Sequence, residues 1–441
     1  MDNKKKKIIQ LKNGIRAIII PMNTLLTSVA VSMLLGERHE KPSEMELTHY
    51  MEHLMGRFTS TKYSDYKTIN QELNKRGAIT NASVSDYETR FYIEGFYKDA
   101  EYFIDLLSNT ISNFHLEKNI VKQEKQAVMQ ELRKHIADYR YVFNRKIWNY
   151  MYPKYSYQFD HEKHIQKVQT YSDDQVYKFV KSHVLCQNTV VSITCPHDAV
   201  DKTSELVKKY FSFPNKNKSA TIKYPLYQYD NECLKVLHIK NNYNNDNAIV
   251  RLIVDNSIKY LSKEHLSMMI LREILFNFET GIFYKTLRDN LGLIYNISMN
   301  LSVDIVNPKS SSYYIETSTN YKNLPQLIKT ILTIISNLKL TENEINNGKQ
   351  KIIVKYEYNK FNDLTSFNSY YGEYLLHKIP IVERHIVKDK LLKVKKSDIL
   401  KTLQKIKKEL LTNGLIFYYS KFNMNTKIQD TIDTKIKYIA L

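Results

Sequence analysis

Apolar residues come in short runs near the start of the chain and at helical spacing further on. Ile8 to Leu11, a turn at Asn13-Gly14 and Ile15 to Ile20 predict strand, turn and strand. Ser28 to Leu35 predicts a third strand that stops at Gly36, and Phe91-Tyr92-Ile93-Glu94 predicts another. From Ala100 to Phe114 and from Glu117 to Tyr139 the apolar positions recur at the helical period, so two helices are expected there.

That order returns later in the chain. Tyr313-Tyr314-Ile315-Glu316 repeats Phe91 to Glu94 at an offset of 222 residues, and Ile335-Ser336-Asn337 repeats Ile111-Ser112-Asn113 at 224. Lys349-Gln350 repeats Lys125-Gln126 at 224 as well. Three matches in one order at a nearly constant offset point to a duplicated unit of about 220 residues. Between the copies lies Pro214-Asn215-Lys216-Asn217-Lys218-Ser219-Ala220, a run of loop formers followed by Pro225, which puts a boundary near residue 222 and domains at 1–221 and 222–441. The basic stretch Lys388 to Lys408 interleaves lysines with regularly spaced leucines and isoleucines, the pattern of an amphipathic surface helix.

Composition narrows the class. Of 441 residues 43% are apolar and 25% charged, so the chain is not disordered throughout. Three cysteines, Cys186, Cys195 and Cys233, make no disulfide framework and favour a reducing compartment. No stretch has the roughly 18 to 20 apolar residues of a membrane span, and Lys4 to Lys7 precede an apolar run that breaks at Gln10 and Lys12, too early for a secretory signal. An intracellular, cytoplasmic location is expected. The net charge of +19 favours acidic partners, nucleic acid among them, although a solvated basic surface accounts for it as well.

The chemistry concentrates in one segment. Ser43 stands three residues before Glu46, a capping-box signature for a helix start, and Gly56 is a plausible stop. On the helix between them Leu47, Tyr50, Met51 and Leu54 share one side, while His49, Glu52 and His53 share the other. Histidines four residues apart can aim two nitrogens at one metal ion, with the carboxylate at i+3 beside it. A third ligand is needed. Glu124 and Glu131, seven residues apart, fall on one face of the second predicted helix, and His135 follows Glu131 by one turn; an exposed charged helix fits those positions equally.

His49-Tyr50-Met51-Glu52-His53 with Glu124 and Glu131 downstream resembles the inverted zinc motif of the insulinase and pitrilysin family, whose members include processing-peptidase subunits. Gly36 to Glu40 is similar to the turn before that family's zinc helix, Gly77 to Ser83 to its GGxxNAxT strand, and Leu287-Arg288-Asp289-Asn290-Leu291-Gly292-Leu293-Ile294-Tyr295 to its LRexxGLxY segment. One position departs, since Glu46 stands where the family usually has glycine, which questions the entry to the helix and no ligand.

The resemblance implies an α+β fold of two homologous domains, each a mostly antiparallel mixed sheet packed against helices, enclosing a cleft. It implies a zinc metalloendopeptidase acting on extended or unfolded peptides, with one ion per chain held by His49, His53 and Glu131. Glu52 is then the general base on zinc-bound water, and Glu124 a supporting carboxylate. Asn81 and Ala82 match the strand that receives substrate, and Arg288 and Tyr295 the pair contributed by the other half. The second half should be metal-free, with Lys355 opposite Glu131, Gly348 opposite Glu124 and no histidine pair in Leu266 to Leu275. The expected partner is a peptide or protein substrate, with a second copy or a heteromeric subunit left open and no membrane. Two rivals stand beside this reading. One is a non-catalytic structural or substrate-presenting homologue of the same fold. The other is a basic nucleic-acid-binding protein, for which the chain has no RRM, zinc-finger or glycine-rich phosphate signature.

Overall fold

A computed structural model describes residues 5–214, 227–229, 231–242, 246–358, 364–432 and 436–441. The first sheet contains β1 (Lys7–Gln10), β2 (Arg16–Met22), β3 (Leu26–Met33), β4 (Ile79–Val84), β5 (Thr89–Phe96) and β6 (Thr189–Pro196) in the order β1-β2-β6-β3-β5-β4. Among the described residues of this sheet only β2 and β6 pair in parallel. The second sheet contains β7 (Lys235–Lys240), β8 (Asn247–Asn256), β9 (Ile297–Ser302), β10 (Ser311–Asn320), β11 (Leu415–Ser420) and β12 (Lys437–Ala440) in the order β12-β7-β11-β8-β10-β9. From β2 and β7 outward the two sheets share order and strand direction, β2-β6-β3-β5-β4 matching β7-β11-β8-β10-β9. Even the register agrees, with Phe91 opposite Val31 and Tyr313 opposite Val254. The sixth strand differs: β1 precedes β2 and runs antiparallel to it, whereas β12 ends the chain and runs parallel to β7.

Both faces of each sheet are covered, which explains why the central strands read as nearly unbroken apolar runs. Along β2 the side chains alternate between two cores. Ala17 and Ile19 join Val29, Val31, Phe103, Leu107 and Val207, while Ile18 and Ile20 join Tyr371, Leu375 and Leu376. In the second sheet Val236 and Val250 face one core, while Leu237, Ile239 and Ile249 face Phe143, Ile147 and Met151. The chain accordingly divides into two compact units: Met1–Ala137, Tyr157–Pro225 and Asn362–Ile381 form one, and Asp138–Ser156, Leu226–Phe361 and Val382–Leu441 the other. Each half thus lends one helix to the other's unit, Tyr139–Met151 in one direction and Leu364–Leu376 in the other. The boundary expected at residue 222 lies outside the described residues.

Two local expectations are corrected. Ser43 does not cap the histidine-bearing helix, which runs Leu47–Met55. Ser43 instead sits in a short 3-10 turn, Pro42–Glu44. The capping work falls to Glu40, whose carboxylate accepts from the backbone N–H of Glu46 at 2.9 Å and of Thr48 at 2.6 Å. The basic stretch from Lys388 to Lys408 is two helices, Arg384–Lys393 and Lys396–Thr412, which bury Val387, Leu391, Ile399, Leu403, Ile406 and Leu410 and leave the lysines toward solvent. Among the described residues no helix is long and apolar enough to cross a membrane, and all three cysteines are free thiols.

Candidate metal centre

The helix Leu47–Met55 is short and anchored on one side. Leu47, Tyr50, Met51 and Leu54 are buried, and the Tyr50 hydroxyl donates to the Val121 carbonyl at 2.6 Å, tying this helix to the helix Lys118–Ala137. Gly56 ends it, its N–H donating to the Glu52 carbonyl at 2.8 Å. With one side fixed, His49 and His53 turn toward Glu131 on the second helix. Glu131 Oε2 lies 3.6 Å from His49 Nε2 and 3.5 Å from His53 Nε2. Ligand atoms at about 2.0 to 2.1 Å from a tetrahedral zinc ion stand about 3.4 Å apart, so this donor set fits such an ion, and its three atoms lie within 4.8 Å of one another. His135 is not in the same position. Its Nε2 is 3.9 Å from the other Glu131 oxygen, and its ring faces His161 with centroids 5.9 Å apart.

Each imidazole is held from behind by a carboxylate. His53 Nδ1 lies 2.9 Å from Glu124 Oε2, and His49 Nδ1 lies 2.7 Å from Glu46 Oε2. An ionised carboxylate only accepts, so Nδ1 carries a proton in both rings and Nε2 is the nitrogen left facing Glu131. Glu124 is buried, which by itself would raise its pKa. Hydrogen bonds from His53 and Arg57 outweigh the burial and hold it below the ordinary carboxylate range. Arg57 donates to Glu124 Oε1 through Nε at 2.8 Å and stacks on the Tyr66 ring at 4.8 Å. Glu52 sits beside the pair, Oε2 3.8 Å from His53 Nε2, and burial pushes its carboxyl up against the opposing pull of the two imidazoles.

The remaining site residues fall in two places. Asn81 and Ala82 lie on β4, the edge strand of its sheet, which among the described residues has β5 as its one strand partner. Arg288 and Tyr295 belong to the second unit. There the Arg288 guanidinium packs 4.7 Å from the Tyr295 ring and 4.9 Å from the Tyr284 ring, and its NH1 donates to the Tyr295 carbonyl at 3.2 Å. Sequence reasoning missed three contributors. Arg57 follows Gly56 and carries no local signal, and His164 reaches Glu46 across 118 residues. Glu46 itself stood out as a departure from a glycine, yet nothing nearby disclosed its partners.

Two family descriptions match the chain: insulinase (peptidase family M16) over residues 21–159, and peptidase M16 inactive domain over residues 170–352. The chain is similar to an uncharacterized zinc protease of Bacillus subtilis, YmxG, 22% identical over 349 residues that cover 77% of this chain and 81% of that protein. It is also 27% identical over 146 residues to mitochondrial cytochrome b-c1 complex subunit 1 of Bos taurus, 33% of this chain and 29% of that one. The solved structure of a protease from Helicobacter pylori matches with a TM-score of 0.77 at 16% identity, covering 94% of this chain and 99% of that one, and supports the fold.

Proposed function

Because the chain belongs to the insulinase family of peptidases, with both family domains matched, we propose that it is a zinc-dependent metalloendopeptidase acting on extended or unfolded peptides. The observation that carries this reading is the single Glu131 oxygen 3.6 and 3.5 Å from the two inward-facing imidazole nitrogens. His49, His53 and Glu131 would hold one zinc ion. When bound, zinc supplies Lewis acidity that polarises the scissile carbonyl and lowers the pKa of water toward about 7.

The chain's own residues do the rest. Glu52 takes the proton from the attacking water and returns it to the leaving amine, and burial raises its carboxyl, the direction that strengthens a base. Glu124, itself gripped by Arg57, keeps the His53 ring oriented. As the edge strand of its sheet among the described residues, β4 would offer backbone N–H and C=O groups at Asn81 and Ala82 to an extended peptide, which selects for conformation more than for sequence. Arg288 and Tyr295 are the substrate-binding candidates of the second unit.

Zinc content and cleavage of a peptide library by wild type and Glu52→Gln test this. Equal zinc in both, with cleavage reduced about 10²- to 10⁴-fold in the variant, is the expected result. A second reading, a non-catalytic homologue, is favoured by the similarity to a respiratory-complex subunit. Zinc-loaded wild type that cleaves no peptide in the library would select it.

A further inference from the structure

Glu46 occupies a costly backbone position. Its φ of 65° lies in the left-handed region, where a residue with a Cβ is disfavoured by roughly 1 kcal/mol or more relative to glycine. Nothing at the helix start requires its side chain, because Glu40 already accepts the N–H groups of Glu46 and Thr48. The carboxylate is spent elsewhere. One oxygen lies 2.7 Å from His49 Nδ1, and the other lies 2.7 Å from His164 Nδ1.

His164, on the helix His161–Thr170, is itself buried, with Nε2 2.6 Å from the Tyr157 carbonyl. Both of its nitrogens therefore face acceptors, so both carry protons and the ring is a cation. That cation balances the largely enclosed Glu46 carboxylate and pins the oxygen that does not face His49. The contacts run in one line, from the Tyr157 carbonyl through His164 and Glu46 to His49, whose Nε2 faces Glu131.

We propose that Glu46 is a positioning residue for His49, fixing its tautomer and ring angle for metal binding, and that His164 holds Glu46 in place. The inference rests on the metal-centre reading above. It gives His49 the same kind of support that Glu124 gives His53, from a position where the resembling family carries glycine and so has no side chain to supply it.

Chelator competition measures the zinc dissociation constant, and the visible spectrum of the cobalt-substituted protein reports ligand geometry. In Glu46→Gln and Glu46→Gly, zinc should be held about 10- to 100-fold more weakly and the cobalt bands should shift. His164→Gln should weaken zinc in the same direction by less. Glycine relieves the left-handed strain but leaves the buried His164 without its partner, so the control is Glu46→Gly/His164→Gln, whose zinc-stripped form should unfold no lower than wild type while zinc stays as weak as in Glu46→Gly, which separates positioning from folding. Zinc affinity and cobalt spectra unchanged in both Glu46 variants, in a wild type whose zinc is lost on Glu131→Gln, would overturn the positioning role and leave the metal centre intact. A wild type that retains no zinc would overturn both. Glu46, His161 and His164 also bring ligand atoms within 4.8 Å of one another. Two zinc ions per wild-type chain, falling to one in His161→Ala, would mean that Glu46 serves a second cation and would overturn the proposal in that way.

Discussion

The helix pair that carries the candidate metal centre has a counterpart in the second half, the helices Lys263–Phe276 and Glu342–Tyr358. At the 224-residue offset, Glu273, Phe276 and Asn277 stand opposite His49, Glu52 and His53, and Lys355 stands opposite Glu131. In the first half Glu131 Oε2 stands 3.6 and 3.5 Å from two imidazole nitrogens, a donor set that would suit a cation. In the second, the buried Glu273 accepts from Lys355 Nζ at 2.6 Å and from Asn277 Nδ2 at 3.0 Å, so donors and acceptors satisfy each other. Gly348, opposite Glu124, lets Ile274 pack so closely that a Cβ there would lie 2.3 Å from Ile274 Cγ1. The same scaffold is thus closed by an ion pair and apolar contact in one half, while on the proposed reading the other half would hold an ion there. Fold and chemistry are separable here, and the separation lies in about five side chains.

The largest effect that tests this contrast is on zinc. Glu131→Gln should strip zinc during dialysis against a chelator and abolish cleavage with it, whereas Glu273→Gln should leave both unchanged. Its own cost is stability, about 1 to 3 kcal/mol for a buried acceptor with a charged partner, read by denaturant unfolding. Equal zinc loss in the two variants would break the comparison.

Acid sensitivity should be shared by the halves, and this sharpens the contrast by showing what is not specific to the site. His39 Nδ1 accepts from the Gly36 N–H and His265 Nδ1 from the Leu261 N–H, each at 2.9 Å. Burial drives both imidazoles down from 6.5 to about 4. The native state then binds fewer protons than the unfolded chain, so this stability is complete above pH 6.5 and is lost as pH falls toward 4. For His265 the loss amounts to about 3 kcal/mol at the acid end. Unfolding free energies measured across that range should flatten in His265→Gln.

How much of this was visible in the sequence follows from the range of the interactions. The strand runs, the opposed faces of the His49 helix and the alignment of Glu124 with Glu131 depend on periods of two or 3.6 residues, so they are written locally. The helix start was misread because Ser43 and Glu46 have the right spacing for a cap, while Glu40, with no such spacing, takes the N–H groups. The exchanged helices Tyr139–Met151 and Leu364–Leu376 were invisible for another reason. Their apolar faces show that they pack, yet nothing local says on which sheet. Glu46 and His164 meet only once the chain is folded.

Packing around Gly348 gives a smaller effect. Gly348→Ala gains helix propensity of about 1 kcal/mol, but the new methyl meets Ile274 Cγ1 at 2.3 Å, and crowding of that kind costs about 1 to 3 kcal/mol. Net destabilisation is expected, with recovery on a background that lacks Cγ1, so that Gly348→Ala should cost nothing further in Ile274→Ala, and with no change in zinc. Recovery is the informative part, since it ties the glycine to its neighbour.

The smallest effect concerns how the two helices of each pair are joined. In the first half the Tyr50 hydroxyl donates to the Val121 carbonyl at 2.6 Å. At the same offset the second half has Ile274 and Ile345, both in its apolar core. Tyr50→Phe removes the hydrogen bond and leaves the ring in place, so it should cost about 1 kcal/mol. Its effect on zinc should be less than tenfold, because Val128 and Leu132 still hold the second helix against the same core. Ile274→Val should cost a similar amount, about 0.5 to 1.5 kcal/mol, with no effect on zinc at all. The two substitutions are matched in stability and differ in what they support. A measurable zinc effect in the first alone would mean that the tether sets the spacing of Glu131 from the imidazoles, and equal zinc retention would mean that the apolar core sets it unaided.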